Sequence, residues 1–249
     1  MRSISALLKK EQIIRSRTVF EYSIIVLGGE KHIISADYSF EKKLSVWQVA
    51  SRIVEGEHHM APVSITIPEG FDLNQIAESC VSKLADFEKN KFFLETKGLE
   101  GYLFPDTYFF LNSANEEDVI KSMNGNFIKK IAFLLPEITS FGKTEKDIIV
   151  MASIIEREAK GDADRSVISG ILWKRIKLGI RLEVDSAPET YKVKGLPEDP
   201  IDNPGLKAIE AAINPQDSPY LYYLHDKNGD IHYATTFSEH ESNIKKYLK

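Results

Sequence analysis

The segment between Thr144 and Gly161 constrains this chain more than any other, because its pattern suits a helix pressed into a core. Thr144 offers a hydroxyl N-cap, Asp147 stands at the capping-box position, and Gly161 supplies a stop. At about 100° per residue, Ile148, Ile149, Ala152, Ile155 and Ala159 share one broad apolar arc. Glu156 falls inside that arc, within about 40° of Ala152 and about 20° of Ile149. Glu158 lies nearly opposite and is expected in solvent.

Around this helix the pattern is one of short units. Ile4, Leu7, Leu8 and Glu11 have helical spacing, Tyr22 to Leu27 is a strand candidate, and Val46, Val49, Ala50 and Ile53 share a helical face. Val63 to Ile67 alternates as a strand, Pro68-Glu69-Gly70 turns, and Asp72 opens a helix. The aromatic run from Leu99 to Phe110 suits either core packing or the wall of a sugar-binding groove. A second long helix starts near Asp164, and Asn203-Pro204-Gly205 reads as an N-cap followed by proline at the first helical position. Tyr220 to His225 and Ile231 to Thr235 form a hairpin through Asn228-Gly229, and Ser238 with Glu241 caps a last helix. The fold class is α+β.

With 249 residues and 43% hydrophobic content, the chain can bury a sizeable core. A net charge of -5 with scattered Lys and Arg argues against nucleic acid as a partner. The single cysteine, Cys80, excludes an intrachain disulfide and a cysteine-based metal framework. No run approaches the roughly 18 apolar residues of a membrane span, and the start lacks a secretory signal pattern. No phosphate-binding glycine loop, serine nucleophile elbow or zinc-binding His-Glu-x-x-His helix occurs. His58-His59 and His240 lack ligand-spaced partners and read as surface residues, so no metal and no cofactor are expected.

Carboxylates remain. An acid on an apolar helix face resists ionisation and can hold the proton that a glycosidic oxygen needs, a role that fits Glu156. A structural ion pair with Arg165, Arg175 or Arg181 would explain the same glutamate. Ordinary glycosidases use a second carboxylate, for which Asp185, Glu183, Glu100 and Asp106 are candidates.

Several motifs together resemble one family, the YceG-like endolytic murein transglycosylases. They are Ile67-Pro68-Glu69-Gly70, the run from Leu99 to Tyr108, Ala152-Ser153-Ile154-Ile155-Glu156-Arg157-Glu158-Ala159, Gly195-Leu196-Pro197 and Asn203-Pro204-Gly205. The resemblance implies a LysM-like N-terminal α+β module over residues 1–97 and a mixed α+β catalytic domain over residues 98–249. It implies cleavage inside nascent glycan strands of peptidoglycan, leaving 1,6-anhydro-N-acetylmuramic ends, with Glu156 as acid and then base. One glutamate suffices because the substrate's N-acetyl group and 6-hydroxyl replace a second carboxylate and water. A hydrolase using the same Glu, or a non-catalytic peptidoglycan-binding scaffold of the divisome, are the alternatives.

By the same resemblance, Tyr102, Asp106 and Tyr108 would shape the groove, and Asp185, Tyr191 and Asn203 would lie near the glycan. Turn, core-ring and helix-cap roles compete for Asp106, for Tyr102 and Tyr108, and for Asn203. Peptidoglycan synthases are the implied neighbours, at the outer face of the cytoplasmic membrane. Membrane attachment would need an N-terminal anchor that this chain lacks. Met1 falls inside the LysM-like module, so the chain either starts late or belongs to an unanchored member. The segment after Tyr191 is short, so one groove wall is expected to be short or rebuilt, and Glu183-Val184 replaces the family's more usual Gln-Ser, which bears on substrate affinity and strand-length preference.

Overall fold

The structure, a computed structural model, describes residues 2–29, 33, 38, 40, 44–57 and 62–248. His58-His59 lie outside the described residues. Contacts divide the chain into two units: Met1–Val63 with Phe109–Ser113, and Ser64–Tyr108 with Ala114–Lys249.

The smaller unit contains α1 (Arg2–Lys10), α2 (Arg17–Val26) and α3 (Val46–Glu55). Leu8, Phe20, Ile24, Val49, Ala50 and Ile53 form its core. The strand expected over residues 22–27 is instead the end of α2. Phe20, Ser23 and Ile24 bury one helical face, and the Ser16 hydroxyl accepts from Val19 N, so capping and a 3.6-residue period outweigh the β propensity of the Ile-Ile-Val run. Helix α3 follows its pattern, with a Ser45–Gln48 capping box and Gly56 in the left-handed conformation at its end.

Next along the chain come β1 (Val63–Thr66), α4 (Leu73–Val81), α5 (Lys89–Glu95) and β2 (Thr107–Phe110). The two strands pair, and the Thr66 and Thr107 hydroxyls lie 2.9 Å apart. Helices α4 and α5 pack together, and α5 packs on α6 (Glu116–Ala132). Residues 72–95 accordingly cluster with the larger of the two units.

The larger unit continues with α7 (Leu135–Phe141), α8 (Glu145–Glu158), α9 (Asp162–Lys177), a 3₁₀ turn at Pro188–Tyr191, α10 (Leu206–Ile213), the hairpin strands β3 (Tyr222–His225) and β4 (Ile231–Ala234), and α11 (Phe237–Tyr247). Helix α8 begins at the expected Thr144–Asp147 capping box. All eight residues from Ile148 to Ile155 are buried, so α8 is wrapped by neighbours rather than laid with one face on a core. Helices α7, α9 and α10 pack against it. In the hairpin, Tyr223 pairs with Tyr233 and His225 with Ile231, and Asp226 closes the turn by accepting from Asn228 N and Asp230 N.

Three helix starts differ from the sequence expectation. Helix α9 starts at Asp162 after Gly161, because the Asp164 carboxylate accepts from the Tyr233 hydroxyl at 3.0 Å instead of capping. Gly205, not Asn203, is the N-cap of α10. Thr236 and Glu239, not Ser238 and Glu241, form the capping box of α11. Among the described residues no helix is long and apolar enough to cross a membrane.

Candidate active site

A cleft of about 450 Å³ opens beside the end of α8. Glu158, the last residue of that helix, stands in its wall with Asp185, Tyr191, Tyr222 and Tyr223. The Glu158 carboxylate accepts two hydrogen bonds: Ser186 Oγ donates to Oε1 at 2.7 Å, and the Tyr223 hydroxyl donates to Oε2 at 3.0 Å. The expected solvated position for Glu158 is thus overturned. The central turns of α8 are buried on every side, and at its end the face opposite Glu156 is covered by the Ser186 segment and the hairpin.

Burial, and then the neighbouring Glu158, push the Tyr223 hydroxyl well above the usual phenol range, so it remains a donor at neutral pH. The Tyr191 hydroxyl donates to Asp185 Oδ1 at 2.7 Å. That bond, with burial second, pushes Tyr191 up to about 12. Arg175 anchors the cleft from below. Its guanidinium donates to Glu183 Oε2 at 2.8 Å, to Arg181 O and to Leu221 O, which ties the segment carrying Asp185 to the chain entering the hairpin. Glu183 is held there at φ 50°, a left-handed conformation that side chains seldom adopt.

Glu156 occupies different surroundings. Its side chain is 7% exposed, and both oxygens are committed: Arg165 Nη2 donates to Oε1 at 2.9 Å, and Gly205 N donates to Oε2 at 3.0 Å. Of the three arginines suggested as structural partners, Arg165 fills that role, whereas Arg175 and Arg181 pair with Glu183. Arg165 also pairs with Asp162 and reaches Glu69 Oε2 at 3.9 Å. Gly70 lies over the Glu156 stem, where a Cβ would sit 3.4 Å from Cγ. Burial, followed by repulsion from Glu156, raises the pKa of Glu69. This cluster joins the Pro68-Glu69-Gly70 turn to α8, α9 and the start of α10.

The remaining expected residues separate into two groups. Asp185 and Tyr191 line the cleft with Glu158. Asn203 is fully buried and clasps loops: its Oδ1 accepts from Leu103 N, and its Nδ2 donates to Phe71 O and to Glu100 Oε1. Tyr102 packs edge-on against Phe127 with ring centroids 5.1 Å apart. The Tyr108 hydroxyl donates to Phe104 O at 2.6 Å, and Asn126 Nδ2 donates to both Asp106 Oδ2 and Tyr108 Oη. Of the candidate second carboxylates, Asp185 and Glu183 stand at the cleft. Glu100 is drawn into the Asn203 clasp, and burial raises its pKa to about 7. Among the described residues no group of three His, Cys, Asp or Glu could hold a metal ion.

The profile of the YceG-like family matches residues 1–189 and 188–246, nearly the whole chain. This chain belongs to the YceG-like family. An endolytic murein transglycosylase of Bacillus subtilis (strain 168) is 29% identical, over 99% of this chain and 81% of its own length. An endolytic murein transglycosylase of Streptococcus pneumoniae (strain R6) is 26% identical over 85% of this chain, which spans half of that relative. A YceG-like protein of Listeria monocytogenes, solved by crystallography, superposes with a TM-score of 0.67 at 26% identity, covering 96% of this chain and 94% of the other.

Several cleft residues of this YceG-like chain escaped sequence reasoning. Tyr223, Ser186 and Tyr222 carry no motif of their own, although alternation along the Tyr220–Tyr223 run does place Tyr223 and His225 on one face of β3. His240, read as a surface residue, is half-buried and stacks on Tyr222 with centroids 5.3 Å apart. Only the tertiary fold brings α11 back over the hairpin.

Proposed function

We propose that this chain is a lytic transglycosylase that cuts glycan strands of peptidoglycan, with Glu158 as the single acid and base. The observation that carries this reading is the placement of Glu158 in the wall of a cleft large enough for sugar rings, held by Ser186 and Tyr223 and faced by Asp185 and Tyr191. The names of the Bacillus and Streptococcus relatives support the substrate class. Glu156, which helix periodicity and the family resemblance both favour, takes a positioning role in this reading, because the charged Arg165 guanidinium and the Gly205 amide hold it in a buried ion pair, whereas only hydroxyls hold Glu158.

In the first step, protonated Glu158 gives its proton to the glycosidic oxygen as the C1–O bond breaks and its electron pair passes to that oxygen. The substrate's N-acetyl oxygen supports the electron-poor anomeric carbon. Glu158, now a carboxylate, accepts the proton of the sugar's own 6-hydroxyl as O6 bonds to C1, which closes the 1,6-anhydro ring. Tyr223 and Ser186 hold the carboxylate in both steps, and Tyr223 stays protonated throughout. No activating water is needed, so Asp185 acts through Tyr191 and the substrate rather than as a second acid. The same reading places the protein beside peptidoglycan synthases outside the cytoplasmic membrane, acting on nascent strands.

Mass spectrometry of products from uncrosslinked glycan strands tests the reading. Fragments one water lighter than hydrolysis products, without reducing ends, are expected, and Glu158→Gln abolishes them while the fold persists. Reducing-end products would instead mark a hydrolase. Strands bound but left intact would mark a binding module.

A further inference from the structure

Sequence composition draws attention to the aromatic run from Leu99 to Phe110 as a sugar-stacking wall, yet Tyr102 and Tyr108 of that run are spent on packing and on the Asn126 network. The rings that border the Glu158 cleft are Tyr191 and, from the C-terminal end of the chain, Tyr222, Tyr223, His225, Phe237 and His240. Phe237 stands apart among them. It lines the cleft and is nevertheless 58% exposed.

Its position is well fixed for so exposed a ring. Phe237 is the first residue of α11, directly after the Thr236 N-cap, whose capping box with Glu239 holds the backbone on either side. Tyr222 supports the ring edge-on, with centroids 5.9 Å apart and planes at 62°, and His240 lies behind at 6.4 Å. Tyr222 is in turn stacked on His240, and the Arg175 guanidinium lies 5.3 Å from its ring centre. Tyr222 and His240 thus back the ring on one side, which leaves its other side open to an apolar surface.

We infer that Phe237 stacks on a sugar ring of the glycan strand beside the bond that Glu158 cleaves, and so helps to fix the register of the strand in the cleft. This rests on the transglycosylase reading above. A pyranose ring presents a flat face of C–H groups that covers an aromatic ring while its hydroxyls stay in water, which matches a half-open ring at the edge of a cleft lined by both apolar and charged side chains. Continuity of the ring with the cleft favours the strand itself over any separate partner, because Phe237 and Glu158 line the same cleft.

Steady-state cleavage of uncrosslinked glycan strands by the full chain decides the matter. Phe237→Ala should raise KM roughly three- to ten-fold with kcat nearly unchanged. Melting temperature should stay at the parent value, since the side chain is exposed. Phe237→Trp should restore KM, and Phe237→Leu, which keeps apolar bulk but offers no ring face, should stay impaired. A parental KM in Phe237→Ala, or full activity in Phe237→Leu, overturns the stacking role. Failure of the underlying reading has a different signature: Glu158→Gln then cuts like the parent, or the parent leaves strands intact, and the role of Phe237 falls with it.

Discussion

The Tyr223 hydroxyl donates to Glu158 Oε2 at 3.0 Å, joining the hairpin to the last residue of α8 across 65 positions of sequence. Burial and the neighbouring Glu158 push the Tyr223 hydroxyl well above the usual phenol range, so it donates to the carboxylate at neutral pH without competing for its proton. Removing that donor in Tyr223→Phe should lower kcat about ten-fold and leave KM close to the parent's. An unchanged kcat would show that Ser186 alone positions the acid.

Glu156 and Arg165 form a buried pair, 7% and 13% exposed, that also receives the amide of Gly205. Glu156→Gln leaves the guanidinium with a weaker partner and should cost about 1–3 kcal/mol of stability, read by denaturant unfolding. At a temperature where the variant is folded, cleavage should persist at a reduced rate. Complete loss of turnover in a fully folded Glu156→Gln protein would return the acid role to Glu156.

Asp202 is fully buried; Arg157 Nε donates to its Oδ2 at 2.8 Å, while Oδ1 finds no partner among the described residues. Burial is the main reason that its pKa rises to about 7, with Arg157 opposing. A carboxyl that holds its proton more tightly when folded adds stability at low pH, and that contribution is lost as pH rises from about 4 towards 7. Asp202→Asn, which cannot ionise and still accepts from Arg157, should flatten the fall in melting temperature between pH 5 and pH 8. Parallel curves for parent and variant would rule Asp202 out as the titrating group.

Gly170 on α9 lies directly under the Gln216 carbonyl, in the region where Gln216 N donates to Ser166 O at 2.8 Å. A methyl group there meets backbone rather than a flexible side-chain end, so Gly170→Ala should destabilise by at least about 2 kcal/mol, despite alanine's better helix propensity. Thermal unfolding at or above the parent's temperature would contradict so close a packing.

Local chemistry was readable in many places where the controlling interaction lies within four residues, although the Thr236–Glu239 box of α11 and the Ser16 cap of α2 were missed. The Thr144–Asp147 and Ser45–Gln48 capping boxes, the Asp72 cap and the turn before Gly229 all follow from neighbours in sequence. Asn203 shows the limit. Its side chain suits a helix cap equally well, and bonds to Leu103 and Phe71, 100 and 132 positions away, decide against that role.

The same division separates Glu156 from Glu158. By itself the sequence determined a capped, apolar helix ending in two carboxylates on opposite sides, together with motifs of the YceG-like family. Which carboxylate meets the cleft was decided by tertiary structure. Periodicity ranks helix faces by apolar content, and on a helix wrapped from every side that ranking does not distinguish a face closed by Arg165 and Gly205 from one opened by Ser186, Tyr191 and Tyr223.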